Sequence, residues 1–329
     1  MSGEAVVSSV PVNDSPLQDE VARVLVASGR APRTVPAVLA ALHHLALAGL
    51  APDLAAAYAR RDLAAAGPAA LETLQRNGEA VASLTRRRRR ELPVQRLAAL
   101  RPLVADLAHR AGAGAVGLVS FAAGPGLDTH LDRVGITCAG RFAGESASPV
   151  QVRAGLVRSA APPPGDLPGV VSRTVLGVGA PGAEDVRWLH ACLPPDGPEP
   201  HARLDAALGL LAADPPTWRP GDRLDLLDAA LADVPDGALP VVTTCWALSE
   251  LTVEDRARFL RRLDAAATRR AVAWASVEGV GVAPAVPTSG DRPASGHSVL
   301  GITLLTRDSL RSWAVGRCWS RGRQLQWLG

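Results

Sequence analysis

The chain has 329 residues, with 35 basic and 32 acidic side chains and a formal net charge of +3. That length allows two domains, and so even a charge balance gives no argument for nucleic-acid binding. No run of about 18 apolar residues is available to span a bilayer. The first 14 residues lack the basic start and apolar stretch of a secretory signal, so the cytoplasm is the expected compartment. All the basic residues are arginine. The four cysteines, Cys138, Cys192, Cys245 and Cys318, lie far apart and never as C-x-x-C. That spacing argues against a metal site or a disulfide framework and for small buried apolar side chains.

Residues 1–16 are small and polar, and are expected to be a disordered tail. Amphipathic spacing then predicts helices over 18–28, where Val21, Val24 and Leu25 share a face, and over 36–49, with Val38, Leu39, Leu42 and Leu45. Further helices are predicted over 53–66, 69–84 and 94–111, punctuated by Pro and Gly. Residues 17–112 therefore read as an all-helical region. His43 shares a helix face with Leu39 and Leu47, which predicts a core histidine. Five consecutive arginines, Arg86 to Arg90, spread round a helix at about 100° per residue. They read as a solvated or acid-paired helix end, with anion or nucleic-acid contact as the alternative.

From residue 115 the pattern changes to short apolar runs alternating with helical ones. Strands are predicted over 115–121, 169–178, 239–245, 271–277, 299–305, 312–319 and 324–328. Helices are predicted over 183–193, 202–213, 224–232 and 253–267. This alternation predicts an α/β domain over 113–329, with a mainly parallel sheet covered on both faces. The last strands have no helix between them, so an antiparallel hairpin is expected to close the sheet. Residues 134–165 interrupt the pattern as small strands or a flap, and 279–296 form a long Gly- and Pro-rich loop.

The segment from Gly117 to Asp128 carries the clearest functional signal. It reads as a strand, a glycine turn over 122–126 and a helix start at Leu127, the arrangement by which a Rossmann-like sheet holds a nucleotide-type cofactor. Gly124 and Gly126 would let the backbone approach a ligand. The strand nevertheless ends in Ser120, without a carboxylate, and Ala122 occupies the place of a first glycine. Asp222 precedes a helix and reads either as acceptor for a ligand amine or as an N-cap. Trp246, at the end of the strand over 239–245, is a pocket wall or a packing residue. Glu278 follows the next strand and is the best-placed carboxylate for acid–base work, or else an arginine's partner. His130 lies just past the turn and His297 in the long loop. No histidine spacing suits a metal, and neither G-x-S-x-G nor a Walker loop is present.

Several segments, in this order, carry a resemblance: Ala40-Ala-Leu-His-His-Leu45, Arg96-Leu-Ala-Ala-Leu-Arg-Pro102, the glycine turn, Asp185-Val-Arg-Trp-Leu-His-Ala-Cys192, Gly221-Asp222, Thr243 to Leu248, Trp274-Ala-Ser-Val-Glu-Gly279 and Gly322-Arg-Gln-Leu-Gln-Trp-Leu328. Over nearly its whole length the chain resembles an uncharacterised bacterial family of unknown function, whose second half looks like a class I S-adenosylmethionine-dependent methyltransferase. The resemblance implies that fold, with S-adenosylmethionine as cofactor. It implies cofactor contacts at Ser120, Gly124, Gly126, Asp222 and Trp246, with Asp222 on the adenine amine and Glu278 facing the substrate. The family's turn reads E-x-G-A-S-A-G-L-N. Here Ser120 stands at the Glu, Ala122 at the first Gly and Asp128 at the Asn. The family's polar R-T-Q-T-N-E is Arg88 to Pro93, and its D-x-N-P after the second strand is Leu176 to Pro181, without an acid. Two family histidines are Thr244 and Arg321 here. A member so altered is expected to be a methyltransferase-like pocket protein with eroded cofactor motifs, or a non-catalytic scaffold or regulatory subunit on the same fold. Its small-molecule or protein partner is undefined by the sequence.

Overall fold

The computed structural model describes residues 15–27, 35–87, 94–121, 124–157 and 165–328. These form two compact units, one from residues 1–91 with 181–204, the other from 92–180 with 205–329. The sequence-based cut at 112/113 runs differently, because two segments follow their packing rather than their order. The expected tail lies outside the described residues up to residue 14.

The first unit is helical: α1 (Pro16–Ala27), α2 (Val35–Leu47), α3 (Pro52–Arg60), α4 (Leu63–Arg76), α5 (Gly78–Thr85), α7 (Ala183–Ala191) and the start of α8 (Pro198–Ala213). Its core joins Leu17, Val21 and Leu25 to Leu39, Leu42, Leu54 and Ala66. The single helix predicted over 53–66 is two. Arg61 turns left-handed at φ 54°, and Asp62 then caps α4 by accepting from the Ala65 amide at 3.1 Å. Trp188 and Cys192, on and just after α7, pack on Ala40, which explains why this late segment joins the early helices. His43 is a core histidine as expected. Its Nδ1 lies 3.1 Å from the Leu193 carbonyl, and burial pushes its pKa down to about 4. Arg87 pairs with Glu184 and Asp185 at 3.1 and 2.8 Å, the acid-paired reading of the arginine run. Arg88 to Arg90 lie outside the described residues.

The second unit is a mixed α/β structure around an eleven-stranded, mostly parallel sheet. Its strands are β1 (Ala115–Ser120), β2 (Gly135–Cys138), β3 (Arg141–Gly144), β4 (Gln151–Leu156), β5 (Gly169–Leu176), β6 (Thr217–Arg219), β7 (Leu239–Cys245), β8 (Val272–Gly279), β9 (Ser298–Thr306), β10 (Ser309–Trp319) and β11 (Gln324–Trp327), in the order β3-β2-β4-β11-β10-β9-β8-β7-β1-β5-β6. β6, β5, β1, β7 and β8 are parallel, and β9, β10 and β11 follow antiparallel. Every residue of β7 is buried, which is why its apolar run is continuous rather than alternating.

Helix α6 (Leu97–Arg110) covers one face, packing Leu100 and Leu103 against Leu118, Val241 and Ala275. On the other face α9 (Arg223–Ala232) and α10 (Val253–Ala267) pack on Val119, Val242 and Trp274. Phe121, Phe259 and Trp274 stack edge to face there, with ring centroids 4.9 and 5.1 Å apart. The expected closing hairpin is corrected: β11 does not end the sheet. It pairs with β4, and β2 and β3 continue beyond it. β4 alternates exposed and buried residues, placing Val152 and Ala154 in the core and satisfying what would otherwise be an open edge on β11. No single helix among the described residues is long and apolar enough to cross a membrane.

Candidate functional site

In an open parallel sheet the ligand place is the crevice at the carboxyl ends of the strands where their order reverses. Here that point lies between β1 and β7, since β5 and β6 continue on one side and β8 on the other. Ser120 ends β1 and Thr243 is its register partner in β7. Between them sits Asp128. Ser120 Oγ donates to its Oδ1 at 2.8 Å and Thr243 Oγ1 to its Oδ2 at 2.5 Å. All three side chains are buried. Burial raises the Asp128 pKa, with the two hydroxyl bonds opposing. Ser120 and Thr243 are hydroxyls at one level of otherwise apolar strands, and that was the only sequence signal for this bridge.

The glycine turn differs from its sequence reading. Leu127–Thr129 is one 3-10 turn and not the start of a longer helix. Gly124 is buried, and residues 122–123 lie outside the described residues. Gly126 has φ +93°, and a Cβ there would come within 2.1 Å of Val175 Cγ2 on β5. Its missing side chain serves packing against the neighbouring strand. Gly126→Ala should therefore cost about 2–3 kcal/mol of stability. Adding Val175→Ala should recover the steric part and leave the backbone part. Denaturant titrations showing the same loss in both backgrounds would contradict this origin.

The segment after the turn is tied down rather than displayed. His130 is fully buried, with Nδ1 3.0 Å from the Thr129 hydroxyl and Nε2 2.6 Å from the Asp214 carbonyl. Arg173 of β5 holds Asp132 with both arms at 2.9 and 2.8 Å, reaches Asp214 at 3.2 Å and donates to the Thr129 carbonyl.

From Leu176 to Pro181, at the end of β5, the sequence has no acid, and an arginine lies there. Arg223 packs its stem where a Gly177 side chain would be, 2.5 Å from the Cβ position. Its guanidinium stands 5.0 Å over the Phe121 ring and donates to the Phe121 carbonyl at 3.1 Å and to Glu250 at 2.9 Å. The preceding Asp222 is exposed and caps α9, accepting from the Leu224 and Asp225 amides at 2.8 and 3.1 Å. Glu184 and Asp185, nearest in sequence to the missing acid, are engaged by Arg87.

Glu278, near the end of β8, is fully buried. Its Oε1 accepts from the Ala247 and Leu248 amides at 3.1 and 3.2 Å, fixing the turn that follows β7. Its Oε2 is buried without a hydrogen-bond partner among the described residues. Burial pushes its pKa up to about 7. Trp246 has φ +57°, a strained backbone for an aromatic residue. Its indole donates to Ser298 Oγ at 2.8 Å, the Arg96 guanidinium lies 5.6 Å from the ring, and the ring is 40% exposed. His297, just before β9, places Nε2 3.1 Å from Asp291, which Arg317 also holds. Among the described residues no cluster of histidine, cysteine or acids suits a metal, and all four cysteines are buried.

Thus the fold brings Ser120, Gly126 and Asp128 together at the crevice and sets Trp246 one strand away and Glu278 two strands away at the same sheet edge. Asp222 is spent on its helix. Asp128 bridges Ser120 and Thr243, and Arg223 is held by the Phe121 carbonyl and Glu250.

The chain belongs to the family described as "Uncharacterized protein conserved in bacteria (DUF2332)", which matches residues 11–327. No curated protein and no solved structure matches it.

Proposed function

We propose that this member of the family is a non-catalytic scaffold or regulatory protein on a methyltransferase-like α/β fold, its S-adenosylmethionine place filled by its own side chains. The observation that carries this reading is Arg223, whose guanidinium lies across the ends of β1 and β5. An acceptor for ribose hydroxyls is needed there, and a cation already spent on Phe121 and Glu250 cannot serve. The buried Ser120–Asp128–Thr243 bridge supports it from the other side of the crevice. The residues at the ends of β1 and β5 do not suit S-adenosylmethionine.

Calorimetric titration of the full chain with S-adenosylmethionine and S-adenosylhomocysteine is the test. Two lost charged hydrogen bonds weaken an affinity by roughly two to four orders of magnitude. No saturable heat is expected below millimolar ligand. Low-micromolar binding would sink the proposal and restore an active methyltransferase. That second reading draws support from Glu278, whose unpartnered oxygen and pKa near neutrality suit an acid–base group. The scaffold reading places the chain in the cytoplasm and gives it a protein partner.

A further inference from the structure

We propose that the outer edge of β5 is a docking site for a short extended peptide bearing an acidic side chain, which joins the sheet in line with β6. The site involves none of Ser120, Asp128, Asp222, Trp246 or Glu278, and stands whichever way the cofactor titration falls.

β6 is only three residues long and pairs with Thr174 to Leu176 alone. β5 begins five residues earlier, at Gly169. On that side, the edge from Gly169 to Arg173 faces no strand among the described residues. The cause is visible in the sequence: Pro215-Pro216 precedes β6, and proline has no N–H with which to extend the ladder backwards. A groove of about 520 Å3 occupies the place, walled by β5 from Val170 to Thr174 and rimmed by Arg133, Arg219, Asp214 and Asp233. Five residues of strand span about 17 Å, which sets the length of the guest. Unpaired edges are what added strands bind. Val171, 52% exposed beside this edge, offers the guest an apolar contact.

The rim selects the guest's charge. Three guanidinium groups line the groove against two carboxylates. Both carboxylates are engaged, Asp214 by Arg173 and Asp233 by Arg219. Arg133 is half-exposed, and its nearest carboxylate oxygens, on Asp132 and Asp214, are both 3.6 Å away. Arg173 and Arg219 are held by Asp132 and Asp233, so among the lining guanidinium groups Arg133 is the one left to a guest. The open chemistry is therefore donors and a main-chain edge, which an extended segment with a carboxylate side chain complements. A chain alternating apolar and acidic residues sends the two kinds to opposite sides of the sheet.

The test uses the full chain and a capped, fluorescein-labelled heptapeptide of alternating valine and glutamate, followed by fluorescence polarisation and by hydrogen exchange. Saturable binding is expected, with slowed exchange over residues 169–173. Arg133→Gln, which removes the charge without setting a new carboxylate against Asp132 and Asp214, should weaken binding about tenfold or more. Val171→Asp should do the same, and a valine–lysine peptide should bind at least about tenfold more weakly. The proposal falls if no saturation is reached at millimolar peptide, if the lysine peptide binds equally well, or if protection appears away from β5 and β6. A concentration-dependent dimer in light scattering, abolished by Val171→Asp, would give the edge to a second copy of this chain and also overturn it.

Discussion

Replacing Arg173 with methionine should destabilise the α/β unit by about 3 kcal/mol or more, measured as a shift in the denaturant midpoint. The side chain is only 9% exposed and holds Asp132, Asp214 and the Thr129 carbonyl together. Methionine fills much of the space but leaves two carboxylates and a carbonyl without their donor. The acids are 27% and 43% exposed and regain some hydration, which sets the expectation at the lower end of the range for broken buried pairs. Arg173→Lys should recover less than half of the loss, because an ammonium cannot grip Asp132 with two arms while also reaching Asp214. A loss below about 1 kcal/mol for the methionine variant would mean that the network is ornamental.

Glu278→Gln should remove a pH-dependent burden of about 3 kcal/mol. Burial holds the Glu278 carboxyl at about 7, above the range of an unfolded-chain glutamate. Its neutral form is therefore the one the fold favours. The contribution to stability is complete below the unfolded-chain value, near pH 4, and is lost as pH rises through 7. Gln keeps an oxygen for the Ala247 and Leu248 amides and never ionises. Subtracting the variant's stability from the wild type's at each pH should give a difference that falls by about 3 kcal/mol between pH 5 and pH 9. A flat difference, or one that rises with pH, would show that the carboxylate is ionised and compensated in the fold.

Much of the architecture was open to reading because it rests on local periodicity. The boundaries of β7 and α10 match the expected 239–245 and 253–267, since a fully buried strand is a bare apolar run and an amphipathic helix carries its own face pattern. The glycine turn carries a packing constraint that its own sequence does not show. Its φ > 0 glycine was visible as a sequence requirement, whereas the contact that demands it, Val175, is about fifty residues away in sequence and adjacent only once β1 and β5 pair.

What the sequence determined by itself was the class: an all-helical start, then strands and helices in alternation, and candidate ligand-edge residues from Ser120 to Glu278. Hydrophobic spacing is a property of neighbours in the chain, so it survives without coordinates. The tertiary structure alone decided where residues 134–157 go, because joining a sheet edge depends on which edge is left unpaired. It alone decided that 92–112 packs with the sheet and 181–204 with the helices. It also decided the chemistry of the crevice. Whether Asp128 faces a ligand or the hydroxyls of Ser120 and Thr243, and whether Arg223 lies over Phe121, are questions of which side chains share a few ångströms. Such pairings are energies between residues distant in sequence, and they come into being only when the fold has closed.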